Sequence, residues 1–216
     1  MHAEQGPSDT GTGLSAAAHQ QPEEIVGRYD EWALEYEADV RSWGYTLPED
    51  IAALVMAQAP VGRILDAGCG TGLIGHALRG LGVSADQLVG IDASQASLEI
   101  AAETGVYVDV SRVDLTAGLP FDDHAFGAVV CGGVLTYVPD ATPVLREFVR
   151  VLRPGAVAIV SQRTDLWEER NFDDTLGQLR AEGAGVEISE RVPYLPDLAE
   201  YGEEIEVIFT TIVAPR

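Results

Sequence analysis

Lysine is missing altogether. All 13 basic residues of this 216-residue chain are arginine, set against 35 acidic residues, which leaves a formal net charge of −22. So acidic a surface repels phosphate backbones, and a DNA or RNA substrate is not expected. An acidic, lysine-free composition marks either life at high salt, where such a surface stays hydrated, or a GC-rich genome that writes Arg for Lys; both readings stay open. Cysteine is scarce. Cys69 and Cys131 are too few and too far apart for a metal site or a disulfide framework, which suits a reducing cytoplasm. Long apolar runs are lacking too, so no membrane span is expected, and the N-terminus has neither the basic nor the apolar region of a signal peptide. The length suits one domain with an ample core.

What is present is concentrated in residues 63–75, Arg-Ile-Leu-Asp-Ala-Gly-Cys-Gly-Thr-Gly-Leu-Ile-Gly. A short apolar run reaches Asp66, a loop follows with glycine at 68, 70 and 72, and a helical pattern starts at Leu73. This is a strand, a tight turn and a helix N-terminus, an arrangement that brings backbone close to a bound nucleoside. A Cβ in that loop would block both the positive-φ turn and the ligand. The dinucleotide fingerprint G-x-G-x-x-G, counted from Gly68 and Gly70, requires glycine at 73, where leucine stands. Asp66, two residues before the first glycine, is placed to take up a ligand's ammonium group.

Asp66-Ala67-Gly68-Cys69-Gly70-Thr71-Gly72 resembles motif I of the class I S-adenosylmethionine-dependent methyltransferases. Three further stretches fall in that family's order: Val89 to Ser94, Val113-Asp114-Leu115 with Leu119 to Val130, and Leu152 to Val160. The resemblance covers roughly residues 25 to 216. Within the family the chain looks most like the small Williams–Beuren-region methyltransferase-like group, which shares a Tyr-x-x-Trp-Ala-x-x-Tyr segment, here Tyr29, Trp32, Ala33 and Tyr36. The resemblance implies a single doubly wound, Rossmann-like α/β domain with a seven-stranded sheet, an antiparallel C-terminal edge hairpin and an N-terminal helical lid. It implies S-adenosylmethionine as cofactor. Asp92 and Ala93 then bind the ribose, Asp114 accepts from the adenine amino group, and Leu115 packs on the ring. Gly68, Cys69 and Gly70 cradle the cofactor, Cys131 lies beside its methionine part, and Tyr36 closes over it.

Pattern along the chain agrees with such a fold. Residues 1–21 are rich in small and polar residues without periodicity and read as a disordered leader. Residues 22–216 form the domain, and 22–60 are its helical cap. A helix is expected from Pro22 past Tyr29 and Trp32 towards Val40, and another from Pro48. Strands are expected near 63–66, 88–92, 107–110, 126–131 and 156–162, alternating with helices near 72–81, 94–104 and 141–152. This alternation implies a parallel sheet with crossover helices on both faces. Residues 172–183 read as a helix, while 185–193 and 204–213 read as two strands with no helix between them, hence the antiparallel edge.

In an open α/β sheet the ligand lies beyond the carboxyl ends of the strands. Asp66, Gly68, Gly70, Asp92 and Asp114 gather on that rim. Ser94 is placed to cap the helix after Asp92, which leaves Asp92 for a ligand. Where amino- and base-modifying relatives carry an Asn or Asp followed by Pro-Pro and an aromatic, this chain has Cys131-Gly132-Gly133. N-methylation of bases is disfavoured, and Gly132 leaves room for a substrate. The loops 134–140 and 161–167 are expected to border the pocket, with Tyr137 orienting a nucleophile and Arg163 meeting an acidic substrate group. Trp43 and Tyr45 complete the lid. No histidine stands in the site, so a histidine base is not evident. No metal is implied.

The expected activity is methyl transfer to a small-molecule acceptor, with oxygen, sulfur or carboxylate favoured over nucleic-acid nitrogen. Neither nucleic acid nor membrane is expected as a partner, and the chain is expected as a monomer or homodimer in the cytoplasm. Two rivals remain: a non-catalytic S-adenosylmethionine-binding regulatory module, and an NAD-dependent oxidoreductase. Leu73 and the lack of a Tyr-x-x-x-Lys pair count against the second.

Overall fold

A computed structural model describes residues 18–199 and 205–216. Among the described residues, three helices come first: α1 (Pro22–Trp32), α2 (Tyr36–Ser42) and α3 (Leu47–Ala57). Strands and helices then alternate through β1 (Ile64–Ala67), α4 (Leu73–Gly80), β2 (Leu88–Asp92), α5 (Gln95–Thr104), β3 (Asp109–Arg112), β4 (Phe126–Cys131), α6 (Thr142–Val151) and β5 (Leu152–Arg163). The end of the chain adds α7 (Thr164–Glu169), α8 (Phe172–Ala181), β6 (Gly185–Pro193) and β7 (Glu206–Val213).

These strands form one sheet in the order β3-β2-β1-β4-β5-β7-β6. β1 pairs in parallel with β2 and β4, so the strand order reverses between β1 and β4. β7 runs antiparallel to both β5 and β6, which makes β6 point the same way as the parallel strands. The Rossmann-like sheet with an antiparallel edge and N-terminal helices is the one the sequence implies. β4 is buried at every residue, as a central strand covered on both faces must be. One face packs Leu145 and Phe148 of α6 and Leu176 of α8, and the other packs Ile51 and Val55 of α3 and Leu78 of α4.

Three expectations need correction. The helix from Pro22 towards Val40 is two helices, since Glu35 N–H donates back to the Trp32 carbonyl (3.0 Å) and tightens the chain into a turn. With that turn the Trp32 indole donates to Asp39, seven residues on (2.7 Å), and its ring meets the Tyr36 ring edge-on at 4.9 Å. Residues 161–167 are no loop. β5 runs on to Arg163, paired with Val207, and α7 starts at Thr164. β3 begins two residues later than expected, at Asp109.

Of the leader expected over 1–21, residues 1–17 lie outside the described residues. Of the last four, Ala18 packs against the domain and the other three are exposed. Ala18 is buried with its carbonyl accepting from Arg170 Nη2 (2.7 Å), and the Gln21 carbonyl accepts from the first-turn amides of Glu24 and Ile25 (3.0 and 3.1 Å).

Candidate cofactor and substrate site

Beyond the carboxyl ends of β1, β2 and β4, and beneath α1, lies a cavity of about 190 Å³. The glycine loop forms its floor. Gly68 and Cys69 donate their amides to the Ile91 carbonyl (2.7 and 2.9 Å), and Gly70 donates to Asp92 Oδ2 (2.8 Å), so the loop is tied to β2. Gly68 and Gly70 have φ of +82° and +53°. A Cβ on Gly68 would meet Val134 Cγ2 at 2.1 Å, whereas one on Gly70 would meet nothing within 4 Å. Gly68 is there for packing, and Gly70 faces open space in the cavity wall.

Asp92 stands next to it, half-buried at the end of β2. Its Oδ2 accepts from Gly70 N–H and its Oδ1 from Ser94 N–H, both at 2.8 Å. Burial holds the carboxyl above the usual carboxylate range, and these amide bonds pull it back. Each oxygen keeps a second lone pair for a ligand. Ser94 caps α5 by accepting from Ser97 N–H (3.1 Å), as its position suggests. Asp114 also caps a turn: its Oδ1 accepts from the Thr116 amide and hydroxyl (2.8 and 2.7 Å). It lines the cavity together with Leu115 and Ala93.

Three residues assigned to the cofactor do not reach the cavity. Asp66 is fully buried under the loop; its Oδ2 accepts from the Tyr107 hydroxyl (2.7 Å), and its Oδ1 has no partner among the described residues. Burial pushes its carboxyl up to about 7 against the pull of that hydrogen bond. Gly75 makes the contact possible, because a Cβ there would lie 2.5 Å from the Tyr107 hydroxyl. Cys69 turns its sulfur towards Gly90, and Cys131 sits in the core; burial pushes both thiols up, so neither is a thiolate at neutral pH. Direct capture of a ligand's ammonium by Asp66 is thus not what its position offers.

The roof and far wall are aromatic. Tyr29, Tyr36, Tyr45, Tyr137 and Tyr194 all line the cavity, five of the chain's seven tyrosines. The hydroxyls of Tyr29 and Tyr137 are hydrogen-bonded at 2.9 Å, and the Tyr45 and Tyr194 rings meet edge-on at 5.6 Å. Burial pushes the hydroxyls of Tyr29, Tyr36, Tyr45 and Tyr194 further above neutrality, so they exchange hydrogen bonds without ionising. Tyr137 rides on a single 3₁₀ turn, Leu135–Tyr137. Arg170 gathers that turn, its Nη1 donating to the carbonyls of Leu135, Thr136 and Val138 (3.1, 2.8 and 3.1 Å).

Trp43 and Arg163 border a smaller annex of about 20 Å³ behind these tyrosines rather than the main cavity. Arg163 is 2% exposed and its guanidinium is held by Asp165 through Nε (3.0 Å) and Nη2 (2.5 Å). Its charge is therefore already matched within the protein. Gly132 lines the cavity by backbone alone. A Cβ there would strike Leu47, Ile51 and Ile74 at 2.5 to 2.9 Å, so its glycine serves core packing, while Gly133 (φ +74°) opens towards Tyr45 and Tyr194.

Sequence reasoning missed Tyr194, Asp30 and Arg170. Tyr194 was legible: β6 points the same way as β5, so the residue just past Pro193 must reach the same rim. Asp30 and Arg170 act on segments more than thirty residues away and leave no local signal.

The residues present fit a nucleoside-bearing cofactor. A carboxylate with spare lone pairs, an open cradle at Gly70 and an apolar pocket beside Leu115 follow one another along the cavity. A methyltransferase-domain family model matches residues 65–160. The 2-phytyl-1,4-naphtoquinone methyltransferase of Synechococcus elongatus is 35% identical over 148 residues, 64% of this chain and 63% of that enzyme, so the match spans less than two thirds of the cyanobacterial protein. Human methyltransferase-like protein 27 is 34% identical over 181 residues, 77% of this chain and 71% of that one. The crystal structure of the [4+2]-cyclase SpnF superposes with a TM-score of 0.59 at 27% identity, covering 77% of this chain and 80% of that one. With motif, sheet order and relatives in agreement, the chain belongs to the class I S-adenosylmethionine-dependent methyltransferases.

Proposed function

We propose that the chain methylates a small, largely apolar acceptor through an acidic hydroxyl, thiol or carboxyl group, with a ring hydroxyl of phenol or hydroquinone type the best fit. The observation that carries this reading is the tyrosine-walled cavity. Tyr36, Tyr45, Tyr137 and Tyr194 line a polarisable, largely apolar enclosure, and burial keeps the hydroxyls of Tyr36, Tyr45 and Tyr194 neutral. A planar ring packs well there by stacking, and the tyrosine hydroxyls can hold its polar substituent. The cyanobacterial relative is named for an acceptor with a planar quinone ring, which matches the ring though not the hydroxyl.

In this assignment Asp92 binds the ribose hydroxyls, Asp114 and Leu115 hold the adenine, and Gly70 admits the centre of the cofactor while Gly68 contributes backbone to the cavity wall. Bound S-adenosylmethionine supplies an electrophilic methyl group on a cationic sulfur. The protein's part is to hold the acceptor in line and dry, and such positioning supplies about 7–11 kcal/mol. Among the described residues no histidine lines the cavity, and the chain has no lysine; this favours an acceptor that ionises easily by itself, with Tyr137 orienting it. Residues 132–139 leave an open pocket beside the cofactor rim, which favours an enzyme over a purely regulatory module. The Tyr29–Tyr36 segment and the likeness to methyltransferase-like protein 27 support placement in the methyltransferase-like group.

Labelled methyl transfer to a panel of phenols, hydroquinones, thiols, carboxylates and amines tests the proposal. Turnover should be highest on aryl hydroxyls. Transfer confined to amines would overturn the acceptor class, and cofactor binding with no transfer to any acceptor would favour the regulatory module.

A further inference from the structure

A run of hydrogen bonds joins the N-terminal helix to the floor of the cavity. Asp30, on α1, accepts at Oδ1 from the Ser94 hydroxyl (2.6 Å) and from the Ala96 amide (3.1 Å). The Ser94 amide in turn donates to Asp92 Oδ1, and the Gly70 amide to Asp92 Oδ2, both at 2.8 Å. Asp30 thereby caps the first turn of α5 from another element, taking the Ala96 amide while Ser94 takes that of Ser97. An anion is favoured at that helix end.

Asp30 itself does not line the cavity, but its neighbours on α1 do: Ile25, Val26 and Tyr29 form the wall opposite the glycine loop. Fastening Asp30 is what holds that wall in place. We propose that Asp30 is a positioning residue that latches α1 over the cofactor and couples this docking to Asp92. The proposal rests on the cofactor reading of the cavity.

The coupling runs through Ser94, which gives its hydroxyl to Asp30 and its amide to Asp92, so docking of Asp30 fixes the residue that holds the Asp92 carboxylate in place. The docked helix also presents Ile25, Val26 and Tyr29 to the cavity, so a ligand that packs on them favours docking. By linkage, a docked Asp30 must favour the ligand equally. When α1 lifts, Asp30 and the Ala96 amide return to water, so the latch can open without stranding a buried charge.

The test is S-adenosylhomocysteine binding by calorimetry, with hydrogen exchange across residues 22–32, on full-length wild-type, Asp30→Ala and Asp30→Asn proteins. Asp30 is only half-buried, so all three should fold; without ligand Asp30→Asn should melt near wild type and Asp30→Ala a few degrees lower, for the lost cap on α5. Asp30→Ala should bind about tenfold more weakly, because both hydrogen bonds that hold α1 down are lost. It should also lose the ligand-induced protection of 22–32 seen in the wild type. Asp30→Asn keeps an oxygen that accepts both bonds and should stay within threefold of wild type. Equal affinity for wild type and Asp30→Ala, protection of 22–32 that ignores the substitution, or Asp30→Asn as weak as Asp30→Ala would each overturn the latch. Failure of the wild type itself to bind S-adenosylhomocysteine would overturn the cofactor reading along with it.

Discussion

Gly68 and Gly70 share a loop and a positive φ, yet the space around them separates their duties. A Cβ on Gly68 collides with Val134, while one on Gly70 enters the cavity. Gly68→Ala should therefore destabilise the fold by about 2 kcal/mol or more. Gly70→Val should fold at a smaller cost in backbone strain but lose S-adenosylhomocysteine binding; melting curves and calorimetry on the two variants would show the reversal of order. Asp66 carries a second prediction at this scale. Its carboxyl sits at about 7 in the fold, against an unfolded value of about 4. As pH rises through that window the unfolded chain gives up the proton first, so this residue lowers stability progressively between about pH 4 and 7. Asp66→Asn removes the burden, and its stability advantage over wild type should widen as pH rises across that range, by up to about 1.4 kcal/mol per unit. A gap that stays constant with pH would show the carboxyl titrating normally. Asp66 and Asp92 look alike in sequence, each an acid closing an apolar run. Which one meets a ligand depends on Tyr107, reached across 41 residues through the space Gly75 leaves.

At the scale of elements, the turn that carries Tyr137 has no regular structure to hold it beyond one 3₁₀ turn. Arg170 does the holding, with three carbonyls on one guanidinium nitrogen and the Ala18 carbonyl on another. Removing it as Arg170→Ala leaves buried carbonyls without donors and should cost about 2–3 kcal/mol. Turnover should fall further than cofactor affinity, because Asp92 and the glycine loop are untouched; equal losses in both would mean that Arg170 supports the fold in general. The same residue also ties down the segment ahead of α1. A chain starting at residue 22 lacks the Ala18 carbonyl and the Gln21 carbonyl that tie down Arg170 and α1, and it should melt several degrees below one starting at residue 18. Identical melting temperatures would show residues 18–21 to be dispensable. The alternation of strands and helices was legible because burial of one face writes a period into each element. The break between Trp32 and Tyr36 was not, since Tyr29, Trp32 and Tyr36 keep helical spacing on either side of a turn that the long-range Trp32–Asp39 hydrogen bond accompanies.

For the molecule as a whole, charge is the dominant fact. Acidic residues outnumber arginines by 22, and the 13 arginines, even where they pair as Arg146 does with Glu182 and Arg150 with Glu147 and Asp123, are too few to pair with most of the 35 carboxylates. Mutual repulsion of these carboxylates opposes the compact state. Added salt shortens the Debye length from about 30 Å at 0.01 M to about 3 Å at 1 M. The melting temperature should accordingly rise with sodium chloride across that range. A fall on adding salt would mean that the ion pairs outweigh the repulsion.

The sequence by itself determined the sheet, the glycine loop and the gathering of Gly68, Gly70, Asp92 and Asp114 on one rim. Strand ends in a doubly wound fold converge on the switch point whatever the side chains beyond them, and the periods that mark those strands are local. Tertiary structure decided which of these groups face the cavity: Asp66, Cys69 and Cys131 turn into the core, Gly132 serves packing, and Arg163 is matched by Asp165. It also brought in Tyr194, Asp30 and Arg170, the first from the far edge of the sheet and the others from the flanking helical segments. A residue's periodicity records only whether its own face is buried. The partner it meets depends on how separate elements pack together, and that is settled only when the chain closes on itself.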